Sequence, residues 1–95
     1  MDHLQTESIK RLFEAILRLE SVEECRCFFE DICTIKEIKD IAQRLKVATL
    51  LRAGVSYIQI SRETGASTAT ISRVSKCLEY GAGGYKTVLD RQENN

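Results

Sequence analysis

The 95-residue chain contains no proline, a single histidine and no apolar stretch long enough to cross a bilayer. Without proline, no predicted helix is interrupted, and no alternation of apolar and polar residues indicates a strand. Residues 1–4 also lack the basic segment and apolar core of a signal peptide. Together with the short length, these absences predict a single all-α domain over residues 1–95, located in the cytoplasm.

Groups that carry enzymatic or metal chemistry are also scarce. We do not expect an enzyme, because the sequence shows no paired nucleophile and base and no phosphate-cradling glycine loop followed by lysine. The four cysteines are Cys25, Cys27, Cys33 and Cys77. Since none forms a Cys-x-x-Cys pair and His3 lies near the terminus, we predict no bound metal and expect the cysteines to be buried small hydrophobic residues. A cysteine-based redox or metal sensor is kept as an alternative function.

The net charge is zero over the whole chain, but the charges are unevenly distributed. Residues 1–40 carry six Lys/Arg and ten Asp/Glu, a net charge of −4. Residues 41–95 carry eight Lys/Arg and four Asp/Glu, a net charge of +4. An acidic half joined to a basic half favours DNA bound at one end of the molecule, although such halves also arise by chance.

The most informative segment is residues 56–78, which indicates two short helices joined at Gly65. Ser56 and Ser67 are suited to cap the two helices, and Gly65 can adopt the positive φ that a tight hinge requires. The second helix has an apolar face at helical spacing that should point inward, formed by Ile71, Val74 and Leu78. This arrangement is the sequence form of a helix-turn-helix over about residues 56–79, which lays its second helix in the DNA major groove.

The opposite face of the second helix is chemically suited to DNA. Methyl groups of threonine and alanine can pack on thymine methyls, hydroxyls can reach base edges, and basic side chains can meet phosphates. The predicted DNA-binding residues are Ser67, Thr68, Ala69, Thr70, Ser72, Arg73 and Lys76. Because the first turn has no Arg, Asn or Gln, we expect few bidentate base contacts and more reading through water and DNA shape. An ordinary helical hairpin with a solvated Ser/Thr-rich face is the alternative interpretation.

The rest of the sequence predicts the helices that hold this pair. A first helix over residues 6–19 carries an apolar stripe, and capping boxes at Ser21–Glu24 and Thr34–Glu37 begin a second and a third helix. The third helix runs to about Ala53, and Gly54 ends it. Since it is apolar around most of its circumference, it must be buried on several sides, which a chain this small achieves most simply as a homodimer.

The C-terminal segment is predicted to be less regular. Glycines at 81, 83 and 84 indicate a flexible turn. Tyr85, Val88 and Leu89 indicate a short closing helix. Residues 91–95 should be frayed.

Through residues 64–74, Thr-Gly-Ala-Ser-Thr-Ala-Thr-Ile-Ser-Arg-Val, the chain resembles the Trp repressor family. The resemblance covers about residues 6–90, and it is stronger to shorter TrpR-like proteins of uncharacterised ligand than to the tryptophan-binding repressor. It implies an intertwined, all-helical homodimer that binds palindromic double-stranded operator DNA and represses transcription. The family positions that meet DNA correspond here to Thr68, Ala69, Thr70 and Ser72. Ile58 and Ser61 stand where the repressor has basic residues on the preceding helix.

The resemblance also identifies a candidate ligand pocket. In the repressor, two arginines sandwich the indole ring of tryptophan; Arg73 matches one, and Arg44 matches the other if the turn around Gly54 is a residue shorter here. Val74 replaces a glycine, and Cys77 replaces a serine that helps to hold the ligand's amino group. A branched Val74 should fill space that the indole needs, so neither tryptophan nor another small corepressor or cofactor is expected. We favour the alternative that the two arginines serve phosphates or carboxylates of the chain.

The sequence therefore predicts a sequence-specific DNA-binding transcriptional regulator that acts as a dimer and represses transcription. A helical protein-interaction module that does not bind an operator is the second hypothesis. Salt-dependent DNA binding would favour the first of these over the second, since phosphate contacts release counterions.

Overall fold

The structure, a computed structural model, describes residues 6–94. This part of the chain contains six helices and no strand, so the predicted all-α class is confirmed. The helices are α1 (Glu7–Ile16), α2 (Val22–Ile32), α3 (Ile35–Arg52), α4 (Tyr57–Thr64), α5 (Thr68–Tyr80) and α6 (Gly84–Glu93). None of these helices is long and apolar enough to cross a membrane. The chain divides into two compact units, with the boundary between Ile38 and Lys39.

Helix α1 is shorter than the sequence predicts. It ends at Ile16 rather than Leu19, and the amides of Arg18 and Leu19 donate to the carbonyls of Ala15 and Ile16 in a tightened last turn. The chain must then extend so that Ser21 can cap α2. The extension ends α1 before residue 19.

Side-chain caps begin α2 and α3, as the sequence predicts. Ser21 Oγ accepts from the amide of Glu24 at 3.1 Å. Thr34 Oγ1 accepts from the amide of Glu37 at 3.1 Å, and the Glu37 carboxylate accepts from the amide of Thr34 at 2.8 Å. The Glu24 carboxylate instead accepts from the amide of Glu20, one residue before the cap. Each such N-cap contributes about 1 kcal/mol to helix stability.

The first unit, as far as the structure describes it, encloses none of its side chains. The apolar stripes of α1 and α2 stay open, with 52% of Phe13, 83% of Leu17 and 88% of Val22 exposed. Phe28 and Phe29 of α2 meet edge to face, with ring centroids 5.8 Å apart, and are half-buried. Residues 6–38 therefore present far more apolar surface than a folded chain usually leaves open.

The predicted burial of the cysteines is wrong. Cys25, Cys27 and Cys77 are exposed, and Cys33 is only partly covered. The α2 thiols are exposed because the first unit encloses no side chain of any residue type. Cys77 lies on the side of α5 that borders a surface groove, away from the core.

The hydrophobic core lies in the second unit, residues 39–94. Its buried members come from α3, α4, the turn before α5, α5 and α6: Val47, Ala48, Ile60, Ala66, Ile71, Val74 and Leu89. The inward face predicted for α5 is confirmed by Ile71 and Val74, and Leu78 packs half-buried against it. Burying one aliphatic side chain of this kind contributes roughly 1.5–3 kcal/mol. Helix α3 buries only Val47 and Ala48, so the predicted burial on several sides is not met within this chain.

Left-handed glycines end α3 and α4, as the sequence predicts. Gly54 has a φ of 81°, and the amide of Val55 donates to the carbonyl of Leu50 in a Schellman-type closure. Gly65 has a φ of 74°, and its amide donates to the carbonyl of Ser61 at 2.9 Å. Residues 65–67 then turn the chain into α5.

Helix α6 extends farther than predicted. Residues 91–93 belong to the helix, so their predicted fraying is wrong, whereas Asn95 lies outside the described residues. The cause is Arg52 of α3, whose guanidinium pairs with Asp90 and, at 3.2 Å, with Glu93. These ion pairs join the last turns of α3 and α6.

Gly65→Val should lower the free energy of unfolding by roughly 2 kcal/mol, since an L-residue in the left-handed region costs about 1–2 kcal/mol and a β-branched one more. The cost is conformational, because the nearest atom to a Cβ at this position is 4.0 Å away. Gly84→Val is the matched control, since Gly84 has an ordinary φ and open space around it. Urea denaturation checks the prediction, and a Gly65→Val protein as stable as wild type would contradict the hinge assignment.

Asp90→Asn should destabilise the protein at neutral pH and matter less in acid. Hydrogen bonds from Lys86 and Arg52 lower the pKa of the Asp90 carboxyl below its ordinary 3.8. A lowered folded-state pKa stabilises the protein above the unfolded-state pKa, and this contribution disappears as pH falls through the lowered value. The unfolding free energies of wild type and variant should therefore begin to converge as pH falls below 3.8 and become equal below the lowered pKa. Glu79→Gln is the control. A difference in unfolding free energy between wild type and Asp90→Asn that does not change with pH would refute the pairing.

Candidate nucleic-acid interface

The predicted contact residues lie together along one side of α5. Thr68, Ala69, Arg73 and Lys76 are exposed, Thr70 and Ser72 are half-buried, and Ser67 caps the helix. Ile71 and Val74 hold the opposite side of the helix in the core. The helix is thereby fixed with its hydroxyl-rich and basic side toward solvent.

The first turn of α5 is organised by two linked hydroxyls. Ser67 Oγ accepts from the amide of Thr70 at 3.1 Å and also lies 3.1 Å from Thr70 Oγ1, to which it donates. Since Thr70 Oγ1 accepts this bond, its own hydrogen is free to point outward to an acceptor. The N-terminal end of a helix also carries a partial positive charge that favours anions.

The turn that positions α5 is fully hydrogen-bonded around Ala66, whose exposed fraction is 2%. Ser61 Oγ donates to the carbonyl of Ala66 at 2.9 Å. Thr64 Oγ1 accepts from the amide of Ala66 at 3.1 Å and donates to the carbonyl of Ile60 at 2.7 Å. The hydroxyl of Ser61 thereby fixes the turn, a role that the sequence does not predict.

Helix α3 contributes a further support that the sequence does not predict. Gln43 Nε2 donates to the carbonyl of Thr64 at 3.0 Å, across 21 residues of chain. The bond satisfies a carbonyl at the end of α4, where helices leave acceptors unpaired. Gln43 is one of several polar residues in α3, so the sequence carries no signal that marks this bond.

Basic residues outnumber acidic residues in the second unit. Residues 39–94 hold nine Lys/Arg and five Asp/Glu. Arg52 and Lys86 are engaged with carboxylates of α6. Arg73 and Lys76 form no ion pair with the part of the chain that the structure describes, so their charges are available to an external anion.

The four candidate ligand-pocket residues are not brought into one cavity. Arg44 and Cys77 line a groove of about 520 Å³ whose other side chains are mainly apolar, among them Ile41, Leu45, Tyr85 and Val88. Arg73 is exposed on α5 and does not line this groove. Val74 is 1% exposed and packs in the core. Among residues 6–94, no group of three His, Cys, Asp or Glu side chains is placed to hold a metal ion.

Comparison with known proteins gives concordant results. The family model described as Trp repressor protein matches residues 7–93. The uncharacterized protein YerC of Bacillus subtilis (strain 168) is 54% identical over 91 residues, which cover 96% of this chain and 88% of that protein. The crystal structure of a TrpR-like protein from Eubacterium eligens ATCC 27750 has a TM-score of 0.92 at 49% identity, covering 95% of this chain and 93% of that one. A solved structure from Staphylococcus aureus has a TM-score of 0.91 at 48% identity, covering 95% and 90% of the two chains.

Proposed function

The chain belongs to the Trp repressor family, and from this premise we propose that it is a sequence-specific DNA-binding repressor that acts as a homodimer. The family is one of regulators rather than enzymes. The observation that carries the proposal is the α4–turn–α5 pair, whose core side is anchored while Thr68, Ala69 and Arg73 face solvent. This pair is the proposed helix-turn-helix.

In the proposed complex α5 lies in the major groove, which is wide enough to admit a helix. Thr68 and Ala69 meet base edges and thymine methyls, and the outward hydrogen of Thr70 Oγ1 reaches an acceptor on a base or phosphate. Arg73 and Lys76 meet phosphates, which position the protein without reading sequence. Short side chains at the helix start favour reading through ordered water and DNA shape.

The open apolar stripes of the first unit support the homodimer. A second copy would remove exposed side chains such as Phe13, Leu17 and Val22 from water. Two reading helices related by a two-fold axis match a palindromic operator whose half-sites are about 34–36 Å apart.

The packing of Val74 supports a repressor that needs no small corepressor. The side chain is enclosed beside Ile71 on the core side of α5. By the resemblance to the tryptophan-binding repressor, Val74 occupies the position at which the repressor has a glycine beside its ligand. We propose that Val74 holds α5 in its binding pose by packing, and that Arg44 and Arg73 serve anions other than a bound amino acid.

Selection of bound sequences from random duplex DNA, with and without tryptophan, tests the proposed function. A palindrome enriched equally in both conditions is the expected result. Enrichment only with tryptophan would overturn the role given to Val74. No enrichment in either condition would contradict DNA reading and favour the protein-interaction module, for which the 69% exposed Ile58 on α4 offers an apolar contact.

Thr70→Ala and Ser72→Ala should relax sequence preference while leaving the fold intact. A mismatched base pair costs about 1–3 kcal/mol in a specific complex, and losing the hydroxyl that reads it should remove part of that cost. Thr49→Ala is the matched control, because Thr49 is an exposed α3 residue outside the proposed interface. Competition binding with the enriched duplex and single-base variants provides the measurement. If both α5 variants discriminate like wild type, the reading face is misassigned.

Titration calorimetry of wild type with tryptophan should show no binding in the micromolar range, because Val74 fills the space beside α5. Val74→Ala serves as the comparison, since it removes side-chain volume at the same position and should cost about 2 kcal/mol of stability. Micromolar binding of tryptophan by the wild-type protein would contradict the packing role proposed for Val74.

A further inference from the structure

A second basic surface lies on α3, beside the turn that leads into α5. Lys39, Gln43 and Lys46 are spaced four and three residues apart, so they share one face of the helix. With Ala42 they line a groove of about 380 Å³, and Thr64 at the end of α4 also lines it. No carboxylate lines this groove.

The two lysines on this groove are exposed. Unlike Arg52 and Lys86, neither Lys39 nor Lys46 forms an ion pair with residues 6–94. The groove therefore presents two positive charges that the described chain leaves uncompensated. A surface of this kind suits a repeated anion such as a nucleic-acid backbone.

The groove lies beside the turn that leads into the proposed reading helix. Gln43 lies between the two lysines and donates to the carbonyl of Thr64 at 3.0 Å. The same amide lies 4.0 Å from the position of a Cβ on Gly65. Ser67, which caps α5, follows two residues later. The lysines consequently lie on a groove beside the end of α4, where the turn into α5 begins.

Helix α4 supplies little of the phosphate binding that such a motif requires. Its only basic residue is Arg62, and its exposed Ile58 is apolar. Phosphate and sugar contacts nevertheless make up half to two-thirds of the hydrogen bonds in protein–DNA complexes. The α3 groove offers cations where α4 lacks them.

We propose that Lys39 and Lys46 bind the DNA backbone, holding phosphates that flank the base pairs read by α5. This inference rests on the proposed function and adds a contact surface outside the helix pair. Gln43 acts as a positioning residue, since it ties the lysine-bearing face of α3 to the turn. The contacts are independent of base sequence and set affinity and register.

The test is the salt dependence of binding to the selected duplex and to a scrambled duplex, for wild type, Lys39→Gln and Lys46→Gln. Each phosphate contact contributes about 0.9 to the slope of log affinity against log salt, so losing one lysine from both subunits should reduce the slope by about 2. The loss of affinity between 50 and 200 mM salt should then be about tenfold smaller than for wild type. Affinity should fall equally for both duplexes.

Lys10→Gln on α1 is the charge-matched control and should leave the slope unchanged, because Lys10 is exposed in the other unit. Thermal melting of each variant establishes that the fold is intact. In a second experiment the duplex is shortened at both ends. This change should weaken DNA binding by wild type and leave the affinity of the lysine variants unchanged.

The outcomes separate the inference from the proposed function. Wild-type slopes for both lysine variants, together with relaxed preference in Thr70→Ala, would overturn the α3 surface alone. Absence of wild-type binding to any duplex would overturn both. Reduced slopes confined to the α3 variants would establish the surface.

Discussion

The hydrogen-bonded turn around Ala66 is the constraint on which the candidate interface depends. A buried backbone amide or carbonyl left without a partner costs about 1–3 kcal/mol, so the turn is stable only while both groups of Ala66 are paired. Ser61 and Thr64 supply those partners, and Gln43 secures the turn to α3. The orientation of α5 follows from this set of bonds together with the packing of Val74.

The two units of the chain have different physical characters, which match different parts of the proposed function. Residues 39–94 enclose a core and present unpaired cations, as a DNA-binding surface requires. Residues 6–38 form capped helices with open apolar stripes, as an association surface requires. A marginal single-chain core combined with such stripes is the usual situation of a protein that is stable as an oligomer.

Features encoded by neighbouring residues could be predicted from the sequence. The caps at Ser21 and Ser67 and the left-handed Gly65 depend on side chains within a few residues, and the structure confirms all three. Bonds between distant residues could not be predicted. The bond from Gln43 to Thr64 joins residues 21 apart, and only the folded chain brings them together. The prediction that the cysteines are buried is wrong for the same reason, since burial depends on how much surface neighbouring helices cover.

We propose that the solvent side of α5, held by the turn at Ala66, is the surface that reads DNA. Titrating isotopically labelled protein with the selected palindromic duplex and following backbone amide chemical shifts tests it most directly. We expect the largest changes between residues 64 and 76 and on the neighbouring face of α3. Changes centred on α1 and α2, with α5 unaffected, would contradict it.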